Sequence, residues 1–357
     1  MKNKLNAGSD MIFPEKHLVP LIFVALAIIC YFLADVTPGF VVEQVTVRFI
    51  RNSVLVLALI VPILAGMGLN FSIIVGAMAA QASYIIVLNA NLPGGIGAVT
   101  VFGLTLVFNI LIGLLLGKLM NIVKGREMIT SIVIGLLANY IYQLVFLVGF
   151  GTVIPVNNEH IVLDSGVGVK SMLDLKIYRD FFNSFGTFQI GGTPISVFLI
   201  LMILAIAFLV YYITRTPLGQ NIKTVGLSAI KAELAGINVD QMRIIAIVIS
   251  TVLAGIGQFI YLQNIGSLNV YTEHLNEDTF SCAALLVGGA TIKSAKVRQA
   301  LFGVVIIHAI FILSPLAGMN SFNNVALGEY FRSFIVYGVI ALALILNIRL
   351  EENKERE

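Results

Sequence analysis

Ten apolar runs, separated by polar or charged stretches, dominate the hydrophobicity pattern of the chain. A bilayer-spanning helix needs about 20 mostly apolar residues, so each run is predicted to be a membrane span. The predicted spans are residues 18–36, 53–67, 70–90, 98–120, 128–149, 195–213, 243–263, 278–291, 299–317 and 330–348. The second and eighth are short, and the eighth is expected to be broken or partly inserted. The pattern predicts an all-α polytopic membrane protein with one transmembrane domain over residues 1–357.

The composition excludes most other classes of protein. Hydrophobic residues make up 58% of the chain and charged residues 11%, against about 25% charged in ordinary soluble domains. A soluble fold, a disordered chain and a nucleic-acid binder are therefore excluded, and the expected surroundings are a lipid bilayer. Cys30 and Cys282 lie in apolar runs and are interpreted as small core residues rather than a disulfide framework. The first run lacks a small-residue cleavage pattern, so it is expected to be a retained helix rather than a signal peptide.

The distribution of basic residues predicts the orientation in the membrane. Ten crossings from a cytoplasmic N-terminus place sixteen of the 22 Lys and Arg residues on the inner side. The six on the outer side are Arg48, Arg51, Lys170, Lys176, Arg179 and Arg332. Cytoplasmic loops carry an excess of Lys and Arg, so both termini are predicted to be cytoplasmic.

Two loops are too long to be simple connectors. Residues 150–193 are predicted to lie outside and residues 214–242 inside. Four aromatic residues of the outer loop fall on one helical face: Tyr178, Phe181, Phe182 and Phe185. That face favours either an interfacial helix at the lipid headgroups or a lid or docking surface for an external partner.

Motifs for enzymatic chemistry are missing from the sequence. It contains no Walker-type phosphate loop, no HExxH and no EF-hand loop, so no catalytic residue, metal ligand or cofactor is predicted. The segment around Gly113 and Gly117 is superficially similar to a Walker-type loop, but it fits a small-xxx-small helix-packing face instead. His17, His160 and His274 are expected near or outside the membrane edges. His308 is expected within the ninth span, in a helix–helix hydrogen bond or in a solute pathway.

Neutral polar residues recur within the predicted spans. Asp and Glu residues fall at span ends or in loops, whereas ion-driven carriers need a carboxylate within the bilayer to bind the coupling ion. We therefore expect a passage for an uncharged or zwitterionic polar solute whose driving force comes from elsewhere. The candidate residues of the translocation path are Asn70, Ser72, Gln81, Asn109, Asn139, Gln143 and Gln258.

Three segments together resemble one family. Residues 68–76, GLNFSIIVG, are similar to a glycine-bounded signature of bacterial permeases for sugars, nucleosides and branched-chain amino acids. Residues 215–237 resemble the family's RTxxG…AGI loop, and residues 283–291, AALLVGGAT, its AAVVLGGTS segment. The chain departs from the family pattern in having the uncharged Asn70 where an Asp is common, and a more basic loop at 293–298. The family is the membrane permease subunit of ATP-binding cassette (ABC) importers.

The resemblance implies partners and a coupling site. Family members pair as homo- or heterodimers, with two ATPase subunits below and an extracytoplasmic solute-binding protein above. The cytoplasmic loop supplies a short coupling helix that fits a groove on the ATPase. In this chain the implied coupling residues are Ser228, Lys231, Ala232, Glu233, Leu234, Ala235 and Gly236.

The expected function is a permease subunit, not an enzyme, that forms the path for a small polar solute. A sugar or nucleoside is favoured, and an amino acid or vitamin is the alternative. An autonomous secondary carrier or channel is the second hypothesis, and it requires transport without an ATPase. Spans seven to ten follow spans two to five at an offset of five crossings. Because five is odd, corresponding spans run in opposite directions through the membrane, and the ten spans are expected to form two inverted five-helix halves.

Overall fold

A computed structural model describes residues 18–324, 326–334, 337–338, 340–342 and 345. Both predicted cytoplasmic termini and part of the tenth predicted span lie outside these residues. The helices in chain order are α1 (Leu18–Ala34), α2 (Pro38–Ala58), α3 (Ile60–Leu64), α4 (Ile73–Asn89), α5 (Gly94–Ile122), α6 (Glu127–Leu144), α7 (Lys176–Asn183), α8 (Val197–Ile213), α9 (Pro217–Leu227), α10 (Ala229–Leu234), α11 (Val239–Ile265), α12 (Glu277–Val287) and α13 (Val297–Phe322). Residues 326–334 are also helical.

The architecture confirms an all-α polytopic membrane protein. Within the described residues, five helical stretches are long and apolar enough to cross a bilayer. They are Pro38–Leu64, Gly94–Ile122, Glu127–Gly149, Val239–Ile265 and Val297–Phe322. Helices α8 and α9 form a further apolar pair bent by 66°, and α1 and α4 are shorter apolar helices. Ten crossings therefore remain a prediction.

The second predicted span begins 15 residues too late. The helical stretch starts at Pro38, after an N-cap at Thr37, and runs to Leu64 with a break at Leu59. Three charged residues, Glu43, Arg48 and Arg51, lower the hydropathy of its first turns but do not stop the helix. The Glu43 carboxylate accepts a hydrogen bond from Thr193, so these turns are stabilised by other parts of the protein.

The eighth predicted span is a half-length helix. Helix α12 has 11 residues and is therefore about 16 Å long, against a hydrocarbon thickness of about 30 Å. Its N-cap, Asn276, has a left-handed backbone conformation, so the chain turns sharply into the helix. This length agrees with the prediction of a broken or partly inserted span.

Helix α11 is the centre of the structure and packs against α5, α2 and α4. On α5, Gly113 and Gly117 lie directly against the α11 backbone. A Cβ atom added at Gly113 would lie 2.3 Å from Thr251 Oγ1 and 2.8 Å from Val248 Cα, and one at Gly117 would lie 2.9 Å from Ile244 Cα. The predicted small-xxx-small packing face is confirmed.

Replacing Gly113 by valine should therefore destabilise the protein. The added side chain has no space between α5 and α11, and overpacking of this kind costs about 1–3 kcal/mol. Gly103 lies on the same helix with nothing within 4 Å of an added Cβ, so Gly103→Val is the matched control. Thermal melting in detergent should show a lower midpoint for Gly113→Val only. Equal melting of the two variants would contradict this packing arrangement.

The loop of residues 150–193 folds onto the helices. Strand β1 (Met172–Asp174) pairs antiparallel with β4 (Ser267–Asn269), and β2 (Thr187–Ile190) pairs with β3 (Thr193–Ser196) in a hairpin. In α7, Tyr178 and Phe182 are buried, and the Phe182 ring lies 5.8 Å from Phe259 of α11. These two rings therefore pack against the protein, and both the interfacial helix and the lid or docking surface remain predictions for α7.

Candidate functional site

Four polar side chains from three parts of the chain meet in one buried cluster, here called the histidine cluster. Gln81 Oε1 lies 3.0 Å from His274 Nδ1, and Asn139 Oδ1 lies 2.8 Å from His274 Nε2. Gln143 Nε2 donates to Asn139 Oδ1 at 3.2 Å. The Tyr142 ring stands edge-on to the imidazole at 5.1 Å. The structure thus brings together three of the predicted path residues, Gln81, Asn139 and Gln143.

His274 reaches this position through a segment that dips between the helices. Gln81 is the central residue of α4, and Asn139 lies next to the centre of the 23-residue helical stretch Glu127–Gly149. The segment of residues 266–276 leaves α11 at the left-handed Gly266 and enters the half-length α12. The expectation that His274 lies near or outside the membrane edge is therefore wrong, since its side chain is 0% exposed and meets the middle of α4 and of the stretch Glu127–Gly149.

The cluster can exchange hydrogen bonds with a polar solute. A neutral imidazole donates from one nitrogen and accepts at the other. Both ring nitrogens face an amide oxygen, Gln81 Oε1 and Asn139 Oδ1, so a neutral imidazole donates to one of them and can accept at its other nitrogen. Tyr142 adds a buried hydroxyl that has no partner among the described residues. Amides, an imidazole and a hydroxyl can each donate and accept hydrogen bonds, which suits an uncharged solute with several hydroxyl groups.

A buried carboxylate follows His274 by three residues in the chain. Glu277 begins α12 and is 8% exposed, and the neighbouring Glu273 carboxylate accepts a hydrogen bond from the Asn269 backbone N–H at 3.2 Å. The inference from sequence that buried carboxylates are lacking is therefore wrong at Glu277. The sequence pattern missed it because the residue lies at a helix end, and the burial comes from the packing of the 266–276 segment.

Asn70 and Ser72 stabilise the chain break before α4. Asn70 Nδ2 donates to Ser250 Oγ of α11 at 3.2 Å, and Asn70 Oδ1 accepts from the Ser72 hydroxyl at 2.6 Å. The break itself turns at Gly66 and Gly68, both with positive φ. Both ends of the Asn70 amide are thus occupied within the protein, which supports a structural role for this motif.

The two remaining path candidates differ in their surroundings. Asn109 lies at the crossing of α4, α5 and α11, and its amide nitrogen would be only 2.1 Å from a Cβ atom added at Gly255. It therefore fills a helix-packing position. Gln258 is fully buried on α11, and neither amide atom has a hydrogen-bond partner within the described part of the chain. Its carboxamide retains the capacity to bind a solute.

The predicted coupling segment is a short exposed helix held by local contacts. Ser228 ends α9 and caps α10, and its hydroxyl accepts a hydrogen bond from Lys231 N–H at 3.3 Å. Ala232 is buried against Val225 and Val239. Gly236 has φ +76°, a left-handed conformation that ends the helix at low energetic cost. The segment is therefore a rigid projection between α9 and α11.

The outer face of α10 is apolar although it is exposed. Ile230 is 74% exposed and Leu234 is 84% exposed, with Lys231 and Glu233 also exposed beside them. Large apolar side chains arranged in this way at a projecting helix are typical of a protein–protein contact.

Comparison with known proteins places the chain in a family. Residues 42–344 match the family described as branched-chain amino acid transport system / permease component. The chain belongs to this permease family. It is an integral membrane protein, as the family and its apolar helices indicate. No solved structure shows a significant match to this permease.

Relatives of this permease include several transport proteins. A probable ABC transporter permease protein of Escherichia coli is 29% identical over 47% of this chain and 48% of its own length. A ribose import permease protein of Haemophilus influenzae is 25% identical over 49% and 51%. A D-allose transport system permease protein of Escherichia coli is 24% identical over 91% and 90%. The permease thus spans about half the length of the first two relatives and most of the third.

An ion pair connects the ends of three helices beside the coupling segment. The Arg243 guanidinium of α11 pairs with the Glu127 carboxylate of α6, and its Nε donates to Asn121 Oδ1 of α5 at 2.9 Å. Both charged side chains are almost entirely buried. A second pair nearby, Lys124 with Asp240 at 2.5 Å, is about half exposed.

The two ion pairs allow a comparison of how much a buried pair and an exposed pair contribute to the stability of the protein. Arg243→Met should lower the free energy of unfolding by about 3–5 kcal/mol, because it leaves the Glu127 carboxylate buried without a partner. Lys124→Met should cost less than about 1 kcal/mol, since exposed pairs contribute little. The measurement is thermal unfolding of both variants in the same detergent. Similar melting temperatures would contradict the burial of the Arg243 pair.

Proposed function

We propose that this permease is the transmembrane subunit of an ABC importer in the bacterial cell membrane. One transmembrane domain spans the chain and forms the path for a small polar solute. Separate ATPase subunits hydrolyse ATP, an extracytoplasmic binding protein delivers the solute, and a second permease completes a homo- or heterodimer. Both termini lie in the cytoplasm, and the spans form two inverted halves.

The exposed apolar face of α10 is the observation that carries this proposal. In a carrier without partner proteins, two large apolar side chains on a projecting helix, Ile230 and Leu234, would stay exposed without a binding partner. A groove on an ATPase subunit covers them. Because Ser228 and Gly236 fix both ends of the segment, a push on α10 is transmitted to α9 and α11.

The histidine cluster is the proposed solute contact within the path. It lies at the centre of two spans, beside a half-length helix, which is where transporters with broken helices bind their substrates. Movement of α11 changes the position of the 266–276 segment, because the segment continues directly from that helix. ATP-driven motion at α10 therefore reaches His274 through α11.

The solute is proposed to be a sugar or a nucleoside. The cluster offers neutral donors and acceptors, which suit hydroxyl groups. Relatives are named for the import of ribose and D-allose and for a nucleoside transporter.

The test is co-purification followed by transport. The tagged permease is extracted from its native membrane in mild detergent, its partners are identified by mass, and uptake is measured in proteoliposomes with and without ATP. Recovery of an ATPase subunit and ATP-dependent uptake of a sugar or nucleoside is the expected result. Uptake by the isolated permease without ATP would overturn the importer role and support an autonomous carrier.

A further inference from the structure

A cavity of about 770 Å³ opens beside the coupling segment, between the end of α8, helix α9 and the 293–298 loop. Five basic side chains line it: Arg215, Lys223, Lys293, Lys296 and Arg298. They come from two parts of the chain about 70 residues apart in sequence, so the fold brings them together. Among the described residues, no carboxylate lines the cavity. Its volume is typical of a site for a small molecule or a lipid headgroup.

Two of these cations are fixed in position by neighbouring groups. Lys223 Nζ donates to the Thr214 carbonyl oxygen at 2.6 Å, and the Arg215 guanidinium lies 4.4 Å from the centre of the Tyr211 ring. Their long side chains therefore lose little additional conformational freedom when an anion binds. An ammonium group and a guanidinium together suit the oxygen atoms of a phosphate group.

Apart from Thr214 and Ser294, most of the remaining cavity wall is apolar, and it continues onto the exposed surface of α8. Ile60 and Leu64 line the inner side. On α8, Leu204, Phe208 and Tyr211 are exposed and recur at intervals of four and three residues, so they form one stripe that ends at the cavity. Tyr211 at the end of an apolar helix marks the membrane–water interface. A cavity with cations at one end and an apolar stripe at the other matches an amphiphile.

We propose that this cavity binds the phosphate-bearing headgroup of an anionic membrane lipid, with its acyl chain along the stripe on α8. Basic pockets between membrane helices bind lipid headgroups of this kind. An inorganic phosphate ion would bind the cations but would not contact the apolar stripe on α8. The proposal depends on the position of the cavity at the membrane interface, and it holds whether or not the importer role is correct.

The test compares lipids of different charge on the purified full-length permease. Native mass spectrometry counts the phosphatidylglycerol and phosphatidylcholine molecules retained after titration with each lipid. The cavity variant is Lys296→Gln with Arg298→Gln, which are exposed positions. Lys296 precedes α13 without a side-chain capping bond, so the fold does not depend on it. The control is Lys118→Gln with Arg126→Gln, two exposed cations outside the cavity on the same predicted side.

The expected result is preferential retention of phosphatidylglycerol by the native permease. The cavity variant should bind it at least about tenfold more weakly, since it removes two of the cations that attract an anionic headgroup, and the control should bind normally. Equal losses in both variants would overturn the proposal and indicate a non-specific basic surface. Displacement of the lipid by millimolar inorganic phosphate would overturn the lipid as the source of the phosphate group.

A protein contact is the remaining outcome. If the cavity variant retains phosphatidylglycerol normally but loses a co-purified ATPase subunit, the cations bind a protein surface and the lipid proposal is wrong. Failure of ATP-dependent uptake in the native permease would contradict the importer role but would leave this lipid measurement unaffected.

Discussion

Replacing both Ile230 and Leu234 by aspartate should reduce ATP-driven uptake by about 100-fold or more. Both side chains are almost fully exposed, so the protein alone loses nothing when they become polar. In a complex, each aspartate would bring a charge into an apolar contact. Central contacts of this kind are worth about 2 kcal/mol or more each, and every 1.4 kcal/mol is a factor of ten in affinity. The measurements are uptake in proteoliposomes and the amount of co-purified ATPase.

Ile122→Asp is the matched control for this double variant. Ile122 is 79% exposed at the end of α5, on the same predicted side of the membrane but outside the coupling segment. It should keep uptake and the ATPase. Normal uptake by the double variant, with ATPase still bound, would contradict the assignment of α10 as the coupling helix.

A change of backbone conformation at Gly236 is a second test of the coupling segment. Gly236 has φ +76° and no atom within 4 Å of an added Cβ, so Gly236→Val introduces backbone strain without a steric clash. We expect the end of α10 to shift and coupling to fall. Reversing the charge at the exposed Glu233 by Glu233→Lys tests whether a charged contact contributes to the same docking.

Local signals in the sequence determine the conformation of residues 228–236, whereas their coupling role is implied by the family resemblance and remains a proposal. Ser228, Ala232 and Gly236 belong to one stretch of nine residues, and their roles as cap, packed residue and terminator depend on neighbours along the chain. The same holds for the small residues Gly113 and Gly117, whose spacing alone predicts a packing face. Such patterns carry over to the structure because the interactions that they encode are short in sequence.

Long-range contacts could not be predicted in the same way. His274 meets Gln81 and Asn139, which are more than 130 residues earlier in the chain, and no periodicity in the sequence indicates that its loop packs between the helices. The start of α2 was missed because a hydropathy average counts charged residues such as Arg51 against a span. The structure pairs Arg51 with Asn264, with a distance of 2.7 Å between Nε and Oδ1.

His274→Ala should lower the uptake of the transported solute at least about tenfold by weakening its binding. The substitution removes both hydrogen bonds of the imidazole and leaves Gln81 and Asn139 without their shared partner. An unsatisfied buried polar group costs about 1–3 kcal/mol, so the variant should also melt at a lower temperature. The decisive measurement is therefore the KM of ATP-driven uptake, because a residue with only a structural role affects stability without changing solute affinity.

Tyr84→Phe provides the structural control for this experiment. The Tyr84 hydroxyl is buried in the same helices and accepts a hydrogen bond from Gln263 Nε2 at 2.7 Å, but it lies outside the histidine cluster. Its loss should lower the melting temperature and leave KM unchanged. Gln81→Leu removes a second member of the cluster and should raise KM as His274→Ala does. If His274→Ala and Tyr84→Phe both lower stability at an unchanged KM, the cluster holds the 266–276 segment in place and does not contact the solute.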